Sequence, residues 1–244
     1  MLRLIAVLSL LIATQTWPGG AIWSSKAVAS ERNVVVLLHG LGRSKSAMWL
    51  LAHRLETAGY QVESIGYRSL HRTPEQILTH LQSKVGNCCA SSDTKIHFVG
   101  HSLGGLIVRA YLAKNKPPNL GRVVLLGTPN SGAHLADLYG DKWWFKLLGP
   151  TAQFLGTGRD SLPRSLPAPD YPVGVIAGIA NRVSNDHILP GDDDGLVSVE
   201  STKLEGMTDF VVVQTGHSAM RYSSAVANQV VSFLKNGRFL ESPR

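Results

Sequence analysis

Ser102 sits in "GHSLGG" (100–105), where the apolar run "KIHFVG" gives way to residues of helical spacing. A serine between glycines at a strand-to-helix turn can act as a nucleophile. The glycines relieve crowding in a sharp turn, and the amino terminus of the following helix favours developing negative charge. The same residues would also make an ordinary tight turn with a capping serine. At neutral pH a serine hydroxyl attacks only when a base takes its proton and a third group orients that base, so the choice rests on partners elsewhere in the chain.

Nine histidines compete for the role of base. In a strand-edge site of this kind the acid and then the histidine follow the serine in chain order, which leaves His134, His187 and His217. Only His217 lies directly past a strand-like run, in "VVVQTGHSAM", and beyond the acidic cluster. His134 and His187 read as surface or loop histidines. For the acid, "NDHILPGDDDGLVSVEST" (185–202) offers Asp186, Asp192, Asp193 and Asp194. Asp194 is the choice because it precedes Gly195 and an apolar run that would bury it, whereas three neighbouring buried carboxylates would repel one another. Acyl transfer also needs donors for an oxyanion. These are expected from the backbone N–H of Leu103, directly after the serine, and of Leu41 in "LLHGLG".

Other chemistries lack their patterns. The aspartates do not have the alternating ligand spacing of an EF-hand, no cysteine–histidine cluster has zinc spacing, and "HGLGRS" is neither a GxGxxG loop nor a P-loop. No metal and no organic cofactor is expected.

The elements that must position these residues follow from periodicity. "NVVVLLHG" (33–40) is a continuous apolar run, as in a strand buried on both faces of a parallel sheet. Met48, Leu51, Ala52 and Leu55 then have helical spacing, stopped by Gly59. Residues 60–67 read as a strand, 74–85 as a helix with Pro74 in its first turn, and 122–129, 171–179 and 209–215 as further strands before a final helix at about 218–235. Six strands with intervening helices predict an α/β domain built on a doubly wound, mostly parallel sheet.

Between Ser131 and Pro172 the pattern breaks into an insertion, about 131–171, that should cover the site as a small lid. It holds "DKWWFKLLGP", then a proline-rich segment that favours extended or irregular chain. Trp143, Trp144 and Phe145 could bind an acyl chain, touch a lipid surface, or pack the lid onto the body.

Composition bounds the class. The chain is 44% hydrophobic and 17% charged, which excludes disorder and suits one globular domain. Its net charge of +7 favours contact with anionic surfaces such as phospholipid head groups. The basic residues are scattered and not interleaved with aromatics, so nucleic acid is not an expected partner. Cys88 and Cys89 are neighbours, which argues against a disulfide staple and for a helix-end detail. Met1 to Arg3, the apolar Leu4 to Ala13 and Ala27-Val28-Ala29 form the three parts of an export signal. Residues 1–29 are therefore expected to direct export to a periplasmic or secreted location, with an uncleaved membrane anchor as the alternative, and 30–244 to form the domain.

Taken in order, "LLHGLG", "GHSLGG", "GTPNSG", "DDGLVSVEST" and "GHSAM" resemble an α/β-hydrolase of the bacterial lipase and esterase type, from about residue 33 to the end. The resemblance implies Ser102, Asp194 and His217 as a catalytic triad, with Leu41 and Leu103 as the oxyanion hole. Gly127-Thr128-Pro129 would close the strand before the lid. Bacterial triacylglycerol lipases often carry an aspartate shortly after the catalytic histidine, within a calcium site, and often a disulfide. "HSAM" has no such acid and the cysteines are adjacent, two departures that bear against calcium dependence and against true fat hydrolysis while leaving an esterase or lipase as the expected class. The expected activity is hydrolysis of esters with an apolar acyl group. Thioesterase, phospholipase, acyltransferase and amidase share the triad, and a catalytically silent lipid-binding protein is the alternative from another class. An intact Ser, Asp and His set argues against the last.

Overall fold

The computed structural model of the chain describes residues 32–89, 93–180 and 188–241. The export signal expected at 1–29 and two candidates set aside above, Asp186 and His187, lie outside these residues. Six strands run in chain order: β1 (Arg32–Leu38), β2 (Gln61–Ile65), β3 (Thr94–His101), β4 (Leu120–Leu126), β5 (Val173–Ile179) and β6 (Asp209–Gln214). They form one sheet in the order β2-β1-β3-β4-β5-β6, and every neighbouring pair is parallel. The expected mostly parallel sheet is thus entirely parallel among the described residues.

Helices cover both faces, for a reason visible in β1. Val34, Val36 and Leu38 join one apolar core, beneath α2 (Pro74–Cys88) and α3 (Leu103–Lys114). Val35 and Leu37 join the other, beneath α1 (Trp49–Thr57) and α9 (Ser224–Asn236). Alternate side chains point to opposite faces, so a strand buried on both must be apolar throughout. Each fully buried Val or Leu side chain contributes about 1.5–3 kcal/mol of transfer free energy. Helix ends follow their chemistry. Thr73 and Gln76 form a reciprocal capping box before α2, and Gly237 ends α9 in the left-handed conformation at φ 75°.

The chain moves outward from β1 to β2 and then returns to the other side of β1 as β3. The loops after β1 and β3 therefore diverge at a switch in strand order, where open α/β sheets form a crevice at the carboxyl ends of their strands.

Several boundaries differ from expectation. β1 and β4 end at Leu38 and Leu126, short of the expected Gly40 and Pro129, because the residues that follow leave the sheet to build the crevice. The expected final helix divides into a 3-10 turn (Ala219–Arg221) and α9, with the Ser223 side chain accepting from Val226 N. The insertion contains four short helices, α4 (His134–Tyr139), α5 (Trp143–Lys146), α6 (Pro150–Gln153) and α7 (Leu162–Ser165), and α8 (Val199–Thr202) precedes β6. Prolines open α6 and α7, where their missing N–H costs nothing. The cysteines also depart from expectation. Cys88 and Cys89 are joined as a vicinal disulfide where α2 ends, but a bond between sequence neighbours closes no loop and staples no elements together.

Candidate active site

β3 delivers the chain to Ser102, and α3 leaves from it. Ser102 adopts φ 57° and ψ −125°, the one positive φ at a non-glycine among the described residues. Such a conformation costs about 1–3 kcal/mol and persists only when its surroundings impose it. They do so here through close approach. A Cβ on Gly100 would lie 2.5 Å from Gly105 N, one on Gly104 2.5 Å from Leu38 O, and one on Gly105 would run into Thr128. Ser102 N donates to Leu126 O at 2.8 Å, fixing the turn to β4. The glycines of "GHSLGG" are thus required by the packing of α3 against β1 and the end of β4.

His217 follows β6 and Asp194 follows β5. His217 Nδ1 donates to Asp194 Oδ2 at 2.7 Å, and the His217 backbone N–H donates to Asp194 O, also at 2.7 Å. The second carboxylate oxygen, Oδ1, accepts from Leu196 N at 3.0 Å and Val197 N at 2.8 Å. Asp194 is 2% exposed and fully engaged, with Gly127 and Gly178 from neighbouring strand ends lying against its side chain. A carboxylate only accepts, so Nδ1 carries the imidazole hydrogen and Nε2 is left with its lone pair. Asp193 turns away to cap Gly195 N, and Asp192 faces water. His134 begins α4 in an exposed position.

Gly127 and His101 lie against this pair, and His39 braces the loop after β1, roles the sequence reading did not assign. Gly127, at φ 52°, lies where a Cβ would come within 2.9 Å of Asp194 Oδ2 and 3.1 Å of His217 Nδ1. His101 is buried; its Nε2 donates to His217 O at 2.9 Å, and its ring lies 4.7 Å from that of His217. Burial, and then the positive neighbours, hold its pKa well below the usual histidine value, so it stays neutral. His39 stacks on Tyr67 at 4.2 Å, donates through Nδ1 to Gly40 O at 2.8 Å, and accepts from Tyr67 N through Nε2 at 3.3 Å. Burial lowers its pKa too. A histidine directly before the serine, and glycine at the end of a strand, are the only signals that could have marked these roles.

Ser102 and His217 open into one cavity of about 390 Å³. Its walls are apolar and come mainly from the insertion, including Tyr139, Trp144, Phe145, Leu148 and Leu155. Trp144 is half-exposed and Phe145 is buried, whereas Trp143 lies outside the lining and is 75% exposed. Leu41 lines the cavity beside Ser102, on a loop that brings Gly40 to where a Cβ would touch Ser102 Cβ at 3.1 Å. The Leu103 N–H lies in the first turn of α3, whose amides have no partner within the helix. Serine, imidazole, buried carboxylate and two nearby amides are the groups that addition to a carbonyl requires.

A family model described as palmitoyl protein thioesterase matches residues 34–153. Over 125 residues the chain is 32% identical to triacylglycerol lipases of Pseudarthrobacter phenanthrenivorans and Burkholderia plantarii. Those matches cover 46% of this chain and 38% and 34% of the two lipases, so only about a third of each relative is spanned. Among solved structures, the mature form of the Bacillus licheniformis lipase BlEst2 superposes with a TM-score of 0.68 at 22% identity, over 85% of this chain and 93% of that one. The chain therefore has the α/β-hydrolase fold and is similar to bacterial lipases and esterases.

Proposed function

We propose that the protein is a serine hydrolase of carboxylic esters with apolar acyl groups. The observation that carries this reading is the buried Asp194–His217 pair opening, with the strained Ser102, into one apolar cavity. His217 Nε2 takes the Ser102 proton as Oγ attacks the ester carbonyl, and Asp194 stabilises the imidazolium. The amides of Leu41 and Leu103 hold the oxyanion. The tetrahedral intermediate expels the alcohol, protonated by His217, and leaves an acyl-serine. Water activated by the same imidazole then releases the acid. Trp144 and Phe145 bind the acyl chain. The similarity to triacylglycerol lipases and to the palmitoyl protein thioesterase model supports esters and thioesters as the substrates to profile.

A fluorophosphonate probe tests this. The wild-type chain is labelled and Ser102→Ala is not; equal labelling of the two overturns the reading. The motif at residues 1–29 supports export with cleavage after Ala29, and amino-terminal sequencing of exported protein should then begin at Ser30. An intact amino terminus on membrane-bound protein would instead identify an anchor.

A further inference from the structure

Beside the acyl cavity lies a second groove, of about 430 Å³, whose largely apolar floor is bordered by exposed cationic side chains. It runs between the loop after β1 and the loop after β2, and its lining includes Arg43, Lys45, Arg68 and His71 but no carboxylate. Arg43 lines both spaces, which places the groove next to the site on the side of Leu41.

The walls are built. Gly42, at φ 64°, turns the first loop so that its N–H donates to Ser69 Oγ at 2.9 Å on the second. Tyr67 stacks on His39 and donates through its hydroxyl to His39 O. The insertion closes over the same loop, where Thr151 Oγ1 donates to Arg72 O at 2.6 Å. The positive charge is uncompensated: among the described residues no carboxylate pairs with Arg43, Lys45 or Arg68. Lys116, by contrast, pairs with Asp170 and Lys203 with Glu200. Cations gathered around one groove without a counter-charge repel one another, and an anion relieves that repulsion.

We propose that this groove takes an anionic head group of phosphate type, carried on the alcohol side of an ester whose acyl chain occupies the apolar cavity. This rests on the reading of Ser102 as nucleophile and deepens it, because Arg43 lines both the basic groove and the apolar cavity that holds that serine. A carbonyl at Ser102 then has the acyl chain under Trp144 and Phe145 and the phosphate against Arg43, Lys45 and Arg68.

The test is binding to the full chain carrying Ser102→Ala, by calorimetry, with octanoylglycerol phosphate and octanoylglycerol. The phosphate ester is expected to bind at least about tenfold tighter, as charge-assisted contacts provide. Adding Lys45→Gln and Arg68→Gln, singly and together, should erase that preference, while Arg68→Lys retains part of it. Equal affinity for the two esters, or a preference that survives both Gln substitutions, overturns the proposal. Inorganic phosphate should compete with octanoylglycerol phosphate. If it binds the groove while the Gln variants hold the ester unchanged, the groove is a free-phosphate site and the head-group assignment falls. Turnover of octanoylglycerol by the Ser102→Ala chain would instead overturn the nucleophile, separately from the groove.

Discussion

Asp194 and His217 are tied twice, by the side-chain bond of 2.7 Å from Nδ1 to Oδ2 and by a main-chain bond of the same length from His217 N to Asp194 O. The second bond fixes the loop after β6 against the loop after β5 before any side chain is considered. Orientation of the imidazole is thus a property of the backbone as well as of the acid.

That double tie separates catalysis from folding in Asp194→Asn. The main-chain bond remains, so the melting temperature should shift by only a few degrees. The amide, however, presents a donor to Nδ1 or favours the wrong tautomer, and kcat on a p-nitrophenyl ester should fall by about 10⁴-fold. A fall of less than tenfold would remove Asp194 from the reaction.

Gly127→Ala should damage both properties. Its φ of 52° and the 2.9 Å approach to Asp194 Oδ2 leave no room for a methyl group. The expected cost is about 1–3 kcal/mol in urea unfolding, with a clear loss of kcat as the acid–base pair is pushed apart. Wild-type activity in this variant would mean that the pair tolerates displacement.

The buried histidines make stability depend on pH. Burial first, and then the charges of Arg122 and Lys95, push His97 down to about 4, and its Nδ1 accepts from Arg122 N at 3.0 Å. The folded pKa lies below the unfolded value of about 6.5, so the unfolded chain binds more protons between the two. Stability should therefore be full above about pH 6.5 and fall as pH drops toward 4, with His97 alone worth roughly 2–3 kcal/mol. His39 and His101 act in the same direction. Urea titrations from pH 8 to 4 measure this, and His97→Gln should flatten the curve; a flat wild-type profile would contradict it.

The three aromatic residues of the insertion should separate by burial. Phe145→Ala removes a buried ring and should cost about 3–5 kcal/mol. Trp144→Ala should mainly raise KM for long-chain esters, because the half-exposed ring lines the cavity. Trp143→Ala should change stability by no more than about 0.5 kcal/mol. A KM effect at Trp143 as large as that at Trp144 would place the acyl chain elsewhere.

Much of the fold was legible because its signals are local. A buried parallel strand has to be apolar on both faces, and β1, β4 and β5 show this as unbroken runs, with His97 the interruption in β3. Asp194 was singled out among four acids by its neighbours in the chain, whereas the side chain is enclosed by Gly127 and Gly178 from distant strand ends. Strand ends were harder to read, since Gly40 and Pro129 continue the local pattern and leave the sheet only because the crevice requires it. The Cys88–Cys89 bond was missed because sequence adjacency says nothing of how a helix end turns two sulfurs toward each other.

By itself the sequence determined the alternation of strands and helices and the turn at Ser102, both of which depend on residues within a few positions of each other. Only the tertiary structure decided what depends on distance through space. Gly127 is required by Asp194, His101 supports His217 from across the sheet edge, and Arg43, Lys45 and Arg68 become one basic groove because the loops after β1 and β2 are tied by Gly42 N and Ser69 Oγ. Side-chain periodicity records which face of an element is buried, but not which other element will lie against it.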